Sequence, residues 1–149
     1  MSLKKAVKQI AENPPETMED VGPRWSKVMT AAFKTITTPV WSALPAATAA
    51  GEAAFVASFK PETGAPGLIL GCEAYIKAAL LVLPLVPPSV TAVGPPAPLA
   101  LPKTAAAALK AADDSEPFAT ALSEDLATWL ETGTWTDSSS GATGSWLLV

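Results

Sequence analysis

Acidic side chains occur in three groups along this 149-residue sequence, and grouped carboxylates can serve general acid–base catalysis or bind calcium. The groups are Glu16, Glu19 and Asp20, then Asp113, Asp114 and Glu116, and then Glu124 and Asp125. Each group lies at the start of a predicted helix or on an exposed helical face, where acids are common for electrostatic reasons. No loop of the DxDxDG type, in which alternating oxygen atoms surround calcium, is present in the sequence. We therefore predict that these carboxylates are surface charges.

Histidine is absent from the sequence, and Cys72 is its single cysteine. The lack of histidine excludes Ser-His-Asp and Cys-His nucleophile systems and removes the commonest metal ligand. One cysteine cannot form a disulfide or a structural zinc site within one chain. Neither a GxGxxG nor a GxxxxGK[ST] motif occurs, so no dinucleotide or P-loop phosphate site is predicted. We predict a protein that is not an enzyme, holds no metal or cofactor, and buries Cys72 as an inert thiol.

Aromatic and apolar residues in the C-terminal tail are the remaining candidates for function. Trp25 and Trp129 lie on apolar helical stripes and are predicted to pack in the core. The tail instead ends on Trp-Leu-Leu-Val, although chain termini are normally mobile and polar. Since aromatic residues often anchor interfaces, we predict that this tail docks either on its own chain or on a neighbouring subunit. The candidate partner-binding residues are Trp135, Trp146, Leu147, Leu148 and Val149.

The composition indicates one domain with an unusually small charged surface. Hydrophobic residues make up 49% of the chain and charged residues 16%, below the usual quarter for a soluble domain. Burial of the remaining surface in an assembly would explain this composition. The net charge is −4 and the basic residues form no dense run, so no nucleic-acid partner is expected.

An apolar helix over 68–83 is the element around which the predicted fold is organised. Its only charges, Glu73 and Lys77, lie four residues apart on one helical stripe. A helix that is apolar on nearly every side must be surrounded by its own domain, by partner subunits or by lipid. The predicted helices cover 2–12, 25–36, 68–83 and 115–130, with a third helix that starts around Pro45 within the segment 41–59 and a short alanine-rich helix over 104–112.

Turn signals and prolines separate these helices. Gly22-Pro23 is predicted as a turn before the second helix, whose polar face, including Lys27 and Thr30, is expected to face solvent or a partner. Gly133 is predicted as the C-terminal stop of the last helix. Residues 84–102 are rich in proline and apolar residues, which predicts an extended crossover strapped over a surface.

The predicted fold class is therefore all-α. We expect a bundle of four to five helices in one domain over 1–133, with the proline-rich apolar crossover over 84–102. Residues 134–149 are expected to form an extended C-terminal arm, in which Thr134–Thr136 and Trp146–Val149 could pair as a small β-hairpin.

This layout resembles a loose class of small virion structural proteins of tailed bacteriophages. The similarity rests on the helix Phe118–Leu130 and on the Thr/Gly/Ser-rich segment 132–144 that follows it. The resemblance implies a viral structural protein of a tail, baseplate or neck, which cements larger subunits. It also implies partners among other structural proteins and several copies of the same chain. The expected location is the virion, assembled in the host cytoplasm.

Two alternative functions are compatible with the sequence. Residues 68–86 could associate with a membrane, but the apolar helix falls short of the about 20 residues that span a bilayer, so a membrane is not the expected partner. A pocket between alanine-faced helices could instead bind a small apolar ligand. Residues 2–10 contain spread charges and no apolar stretch, so we expect no secretory signal peptide.

Overall fold

A computed structural model describes residues 3–13, 18–37, 45–60, 65–82, 90–94, 96, 98–103, 115–137 and 141–148. The helices are α1 (Leu3–Glu12), α2 (Met18–Lys34), α3 (Pro45–Ser58), α4 (Ala65–Val82) and α5 (Ser115–Leu130). The strands are β1 (Ile36–Thr37), β2 (Val90–Gly94), β3 (Thr134–Asp137), β4 (Thr143–Ser145) and β5 (Leu147–Leu148). The described part of the chain is mostly helical, which confirms the predicted fold class. The alanine-rich helix predicted over 104–112 and Trp41 lie outside the described residues.

The predicted turn at Gly22-Pro23 is wrong, because α2 begins at Met18 and runs through both residues. Proline removes one backbone hydrogen bond, and near the start of a helix this loss affects only the first turns. Gly22 is buried, and a Cβ atom there would meet the side chain of Val56 on α3 at 3.7 Å. Gly22 therefore lies in the α2–α3 contact, Pro23 is exposed, and neither residue ends a helix.

Close packing of α3 against α4 forms one half of the core. Gly51 of α3 lies beneath the ring of Tyr75, where a Cβ atom would be 2.8 Å from the ring. Gly71 of α4 lies in the same way against the ring of Phe55. Each of these glycines thus receives an aromatic ring from the opposite helix. The two rings fill the gap that the absent side chains leave.

Helix α1 packs against α2 and α5, and this contact completes the core. The α2 stripe predicted from apolar spacing is buried as expected, with Trp25 partly buried beside it. Leu99 and Leu101, which end the crossover, are also buried, so this part of the crossover is strapped onto the core as predicted. The largest completely buried side chains include Met29, Phe33, Phe55, Tyr75, Ile76, Leu122, Leu126, Leu130 and Trp146.

Two small antiparallel sheets connect the crossover and the tail to the helices. Strand β3 lies between β2 and β4, so a tail hairpin is present and the crossover adds a third strand to it. The predicted pairing is wrong in its second strand, because Thr134–Asp137 pairs with Thr143–Ser145 and not with Trp146–Val149. Strand β5 pairs with β1, with Ile36 opposite Leu148 and Thr37 opposite Leu147. The tail is therefore paired both with the crossover and with the segment that follows α2.

Candidate functional site

Trp146, a predicted partner-binding residue, lies in the core of its own chain. Its side chain is 0% exposed, its backbone N–H donates to the Gly133 carbonyl at 2.9 Å, and its Nε1–H donates to the Thr134 carbonyl at 3.0 Å. The indole lies directly over Gly133, where an added Cβ atom would overlap the ring. Of the two alternatives for the tail, docking on its own chain is the one observed. Trp146 is thus not available to a partner in this structure.

The other predicted tail residues divide by exposure. Trp135 is half-buried and covers Gly144, where a Cβ atom would be 2.6 Å from Cζ2 of the indole. Leu148 is half-buried, whereas Leu147 is 62% exposed. Val149 lies outside the described residues. Among the described tail residues, Leu147 is therefore the one large apolar side chain that a partner could reach.

A more extensive apolar surface lies on the outer face of α4. Leu70 is 50% exposed and Leu81 is 83% exposed. With Ala74 and Lys77 they form one helical stripe, because steps of four, three and four residues return to the same face. The stripe borders an open, mostly apolar groove of about 750 Å³. Pro96 and Pro98 of the crossover and Trp129 of α5 are among the residues that line the groove. We call this surface the α4 face.

The α4 face exists because its helix is apolar on both sides and only one side is covered. The inner side packs within the chain and contains the buried residues Cys72, Tyr75, Ile76 and Ala79. The outer side retains leucines that would be buried in a helix surrounded on all sides. The apolar pattern predicted this helix but no binding site on its outer side. Apolar residues occur on both sides of this helix, so no local signal in the sequence distinguishes the side that the domain leaves uncovered.

Two opposite charges lie on the α4 face. Glu73 and Lys77 are both exposed and line the groove. Neither side chain forms an ion pair with another residue of the described chain. Elsewhere Lys27 pairs with Glu52 at 2.7 Å and Lys103 with Glu124 at 2.9 Å. Glu73 and Lys77 therefore retain their hydrogen-bonding capacity for a partner.

A buried polar network connects α2, α3 and α4 beneath this face. Thr30 Oγ1 donates to Glu52 Oε1 at 2.6 Å and lies 2.8 Å from the Tyr75 hydroxyl. Since the only threonine hydroxyl proton goes to the carboxylate, Tyr75 must donate to Thr30. Thr30 is buried, so the expectation that it faces solvent or a partner is wrong. These bonds satisfy the polar groups of the network, which consequently acts as a structural link between three helices.

Burial raises the pKa of Tyr75 above its usual range, and the negative charge of Glu52 raises it further. The folded state therefore keeps the phenol neutral, whereas an unfolded tyrosine ionises near pH 10. The contribution of the neutral phenol to the free energy of unfolding is therefore complete below about pH 10. Above that pH it is lost at about 1.4 kcal/mol per pH unit.

We expect Tyr75→Phe to remove this alkaline loss of unfolding free energy. Urea unfolding between pH 8 and 11 measures this change in the pH dependence of stability. Both proteins should contain Cys72→Ala, because burial also raises the pKa of Cys72 and would add its own alkaline slope. An unchanged alkaline slope in Tyr75→Phe would contradict the assignment.

In the part of the chain that the structure describes, the cysteine and the acidic residues predicted as candidates for chemistry do not form a common site. Cys72 is a buried free thiol whose raised pKa keeps it neutral, as predicted. Asp125 is buried, so the prediction of surface charge is wrong there, and it accepts a bond from the Lys103 backbone N–H at 3.4 Å. Of the three predicted acidic groups, Glu19, Asp20 and Glu124 are exposed as predicted. Glu16, Asp113 and Asp114 lie outside the described residues, and so does the side chain of Glu116. Within the described ranges, no three acidic or cysteine side chains come together in a way that could hold a metal ion.

Comparison of the chain with protein-family models, with curated proteins and with solved structures finds no significant match. The helices of the described segments also include none with the length and hydrophobicity needed to cross a bilayer. The fold thus defines a small, mostly helical protein with two minor sheets, and the α4 face is its strongest candidate for a functional site.

Proposed function

We propose that this protein is a non-catalytic assembly component that binds other structural subunits through the α4 face. The observation that carries the proposal is the exposed pair Leu70 and Leu81 beside the apolar groove. The lack of histidine and the single buried cysteine support a binding role over a catalytic one.

The energetics of the α4 face favour adhesion. Burial of an exposed leucine side chain contributes about 1.5–3 kcal/mol, and Leu81 has most of its surface still to bury. Because the leucines project from a helix fixed against α3, little conformational entropy is lost when a partner docks. A rigid helical surface is thus a better adhesive element than a mobile arm would be.

The setting that we propose is the virion of a tailed bacteriophage, in a tail, baseplate or neck. It is supported by the similarity of the α5 helix and the Thr/Gly/Ser-rich segment after it to small virion proteins. The low charged fraction of 16% also suits a protein whose surface is largely covered by neighbours.

Incorporation into purified virions tests this function. We expect wild-type protein in fixed stoichiometry, and roughly a tenfold or greater loss for Leu81→Glu, because a carboxylate would replace the most exposed leucine of the face. Leu147→Glu is the matched control, since it makes the same change on the exposed tail position and should incorporate normally. Quantitative mass spectrometry of washed particles measures both. Absence of the wild-type protein from particles, or loss with Leu147→Glu only, would refute the proposal.

A second candidate function is binding of a small apolar ligand in the groove. The groove volume of about 750 Å³ falls in the range of ligand pockets, and its lining is mostly apolar. A hydrophobic compound that raises the melting temperature of the wild type but not of Leu81→Glu would favour this function over assembly.

A further inference from the structure

The residues of the α4 face follow a nearly symmetric order along the helix. Leu70 and Glu73 precede Tyr75 by five and two residues, and Lys77 and Leu81 follow it by two and six. An apolar residue thus lies at each end, and opposite charges lie at equal distances from the centre. Ala74, a small residue, lies beside the centre.

Such an order is self-complementary when two copies of the helix lie antiparallel. A two-fold axis level with Tyr75 would place Glu73 opposite Lys77 of the second copy, and Leu70 within one residue of the position opposite Leu81. A parallel pair would place Glu73 against Glu73 and Lys77 against Lys77, which is repulsive. The charges on this face therefore select one direction.

We propose that a second copy of this chain docks on the α4 face, with the two α4 helices antiparallel around a two-fold axis level with Tyr75. The resulting contact is isologous, the commonest arrangement in homo-oligomers. The inference rests on the proposed function, because it uses the same face and names its first partner. The dimer would be the unit that enters the larger assembly.

The shape of the α4 face fits a helix as its occupant. Leu70 to Leu81 spans eleven residues, or about 16 Å of helix. Ala74 permits close approach near the axis, while Pro98 and Trp129 line the groove that would receive the second helix. The aliphatic stem of Lys77 can cover apolar surface while its ammonium reaches the opposite carboxylate. Each copy would supply one member of each of the two interchain ion pairs.

Charge reversal combined with mixing tests this geometry. We expect a wild-type dimer in sedimentation equilibrium and about tenfold weaker association for Glu73→Lys or Lys77→Glu alone, because each variant creates two like-charge contacts per dimer. An equimolar mixture of the two variants should associate nearly as tightly as the wild type. In the mixed dimer the two substituted side chains face each other with opposite charges. The unchanged Lys77 of one variant and the unchanged Glu73 of the other form the second attractive pair.

Glu131→Lys is the matched control for these variants. It makes the same change of charge at an exposed position directly after α5 that does not line the groove, and should leave association unchanged. Equal weakening by Glu131→Lys would show that net charge, and not the pairing on the α4 face, controls association.

The outcomes separate this inference from the proposed function. The inference would be overturned if the wild type stayed monomeric at every concentration or if the single variants associated like the wild type. It would also be overturned if the mixture of variants associated as weakly as each variant alone. If the protein is monomeric but Leu81→Glu still prevents incorporation into virions, the proposed function stands and the homodimer does not. If mixing restores the dimer but the protein never enters particles, the homodimer stands and the proposed function does not.

Discussion

Replacement of Trp146 with alanine is expected to lower the free energy of unfolding by about 3–5 kcal/mol, because it removes a completely buried aromatic side chain. The change also deletes the hydrogen bond from Nε1 to the Thr134 carbonyl and the ring that covers Gly133. The loss is a large share of the stability of a domain of this size. Urea unfolding followed by circular dichroism measures it.

Leu147→Ala is the neighbouring control for this prediction. Leu147 is 62% exposed, so its truncation should change the unfolding free energy by less than about 0.5 kcal/mol. If Trp146→Ala instead left stability intact and abolished self-association, the tail would be an intermolecular arm. That result would contradict the docking of the tail on its own core.

Gly133→Ala is expected to cost about 3 kcal/mol, at the upper end of the range for overpacking, because the new methyl group would overlap the Trp146 indole. The ring is completely buried and cannot swing aside. Backbone strain is not the cause, since Gly141 is the one described residue with positive φ. Gly133 is therefore required for its lack of a side chain.

A double-mutant cycle isolates this contact. In a Trp146→Ala background the methyl group has space, so Gly133→Ala should cost less than about 1 kcal/mol, which gives a coupling of about 2 kcal/mol. Chemical denaturation of the four proteins provides the numbers. Additive effects would show that Gly133 acts independently of Trp146, for example through the end of α5.

Most of the helices could be predicted because their local signals agree with the packing, whereas the turn signal at Gly22-Pro23 was overridden inside α2. Helix α5 begins at Ser115 with Pro117 in its first turn, and α3 begins at Pro45, both as helix-start signals predict. The sequence predicted that Gly133 ends α5 because glycine tolerates unusual backbone conformations. In the structure the glycine is needed because the Trp146 indole, distant in sequence, packs directly against it. Steric fit between distant residues has no local signature. The sequence therefore could not show whether the tail docks on its own chain or on a neighbouring subunit.

Buried polar residues were the second kind of error. Thr30 and Asp125 occupy helical positions that apolar periodicity assigns to the outside, but neighbouring segments cover both. Thr30 gains Glu52 and Tyr75 as partners only when three helices are placed together. Asp125 accepts a hydrogen bond from the Lys103 backbone N–H only because the end of the crossover lies beside α5. Such coverage depends on the relative placement of elements, which periodicity within one helix does not contain.

The open side of α4 was also beyond local prediction. Both sides of this helix are apolar, so the sequence alone cannot indicate which side its own domain leaves uncovered. Packing against α3 covers the side that contains Cys72 and Tyr75. The remaining side contains Leu70 and Leu81 and becomes the candidate docking surface.

Solution mass by light scattering over increasing concentration, for the wild type, Leu81→Glu and Leu147→Glu, tests the central claim most directly. If the α4 face makes the intermolecular contact and the tail belongs to the core, the wild type and Leu147→Glu will share one monomer–dimer equilibrium while Leu81→Glu stays monomeric. Loss of the dimer in Leu147→Glu with retention in Leu81→Glu would place the contact on the tail and contradict the claim.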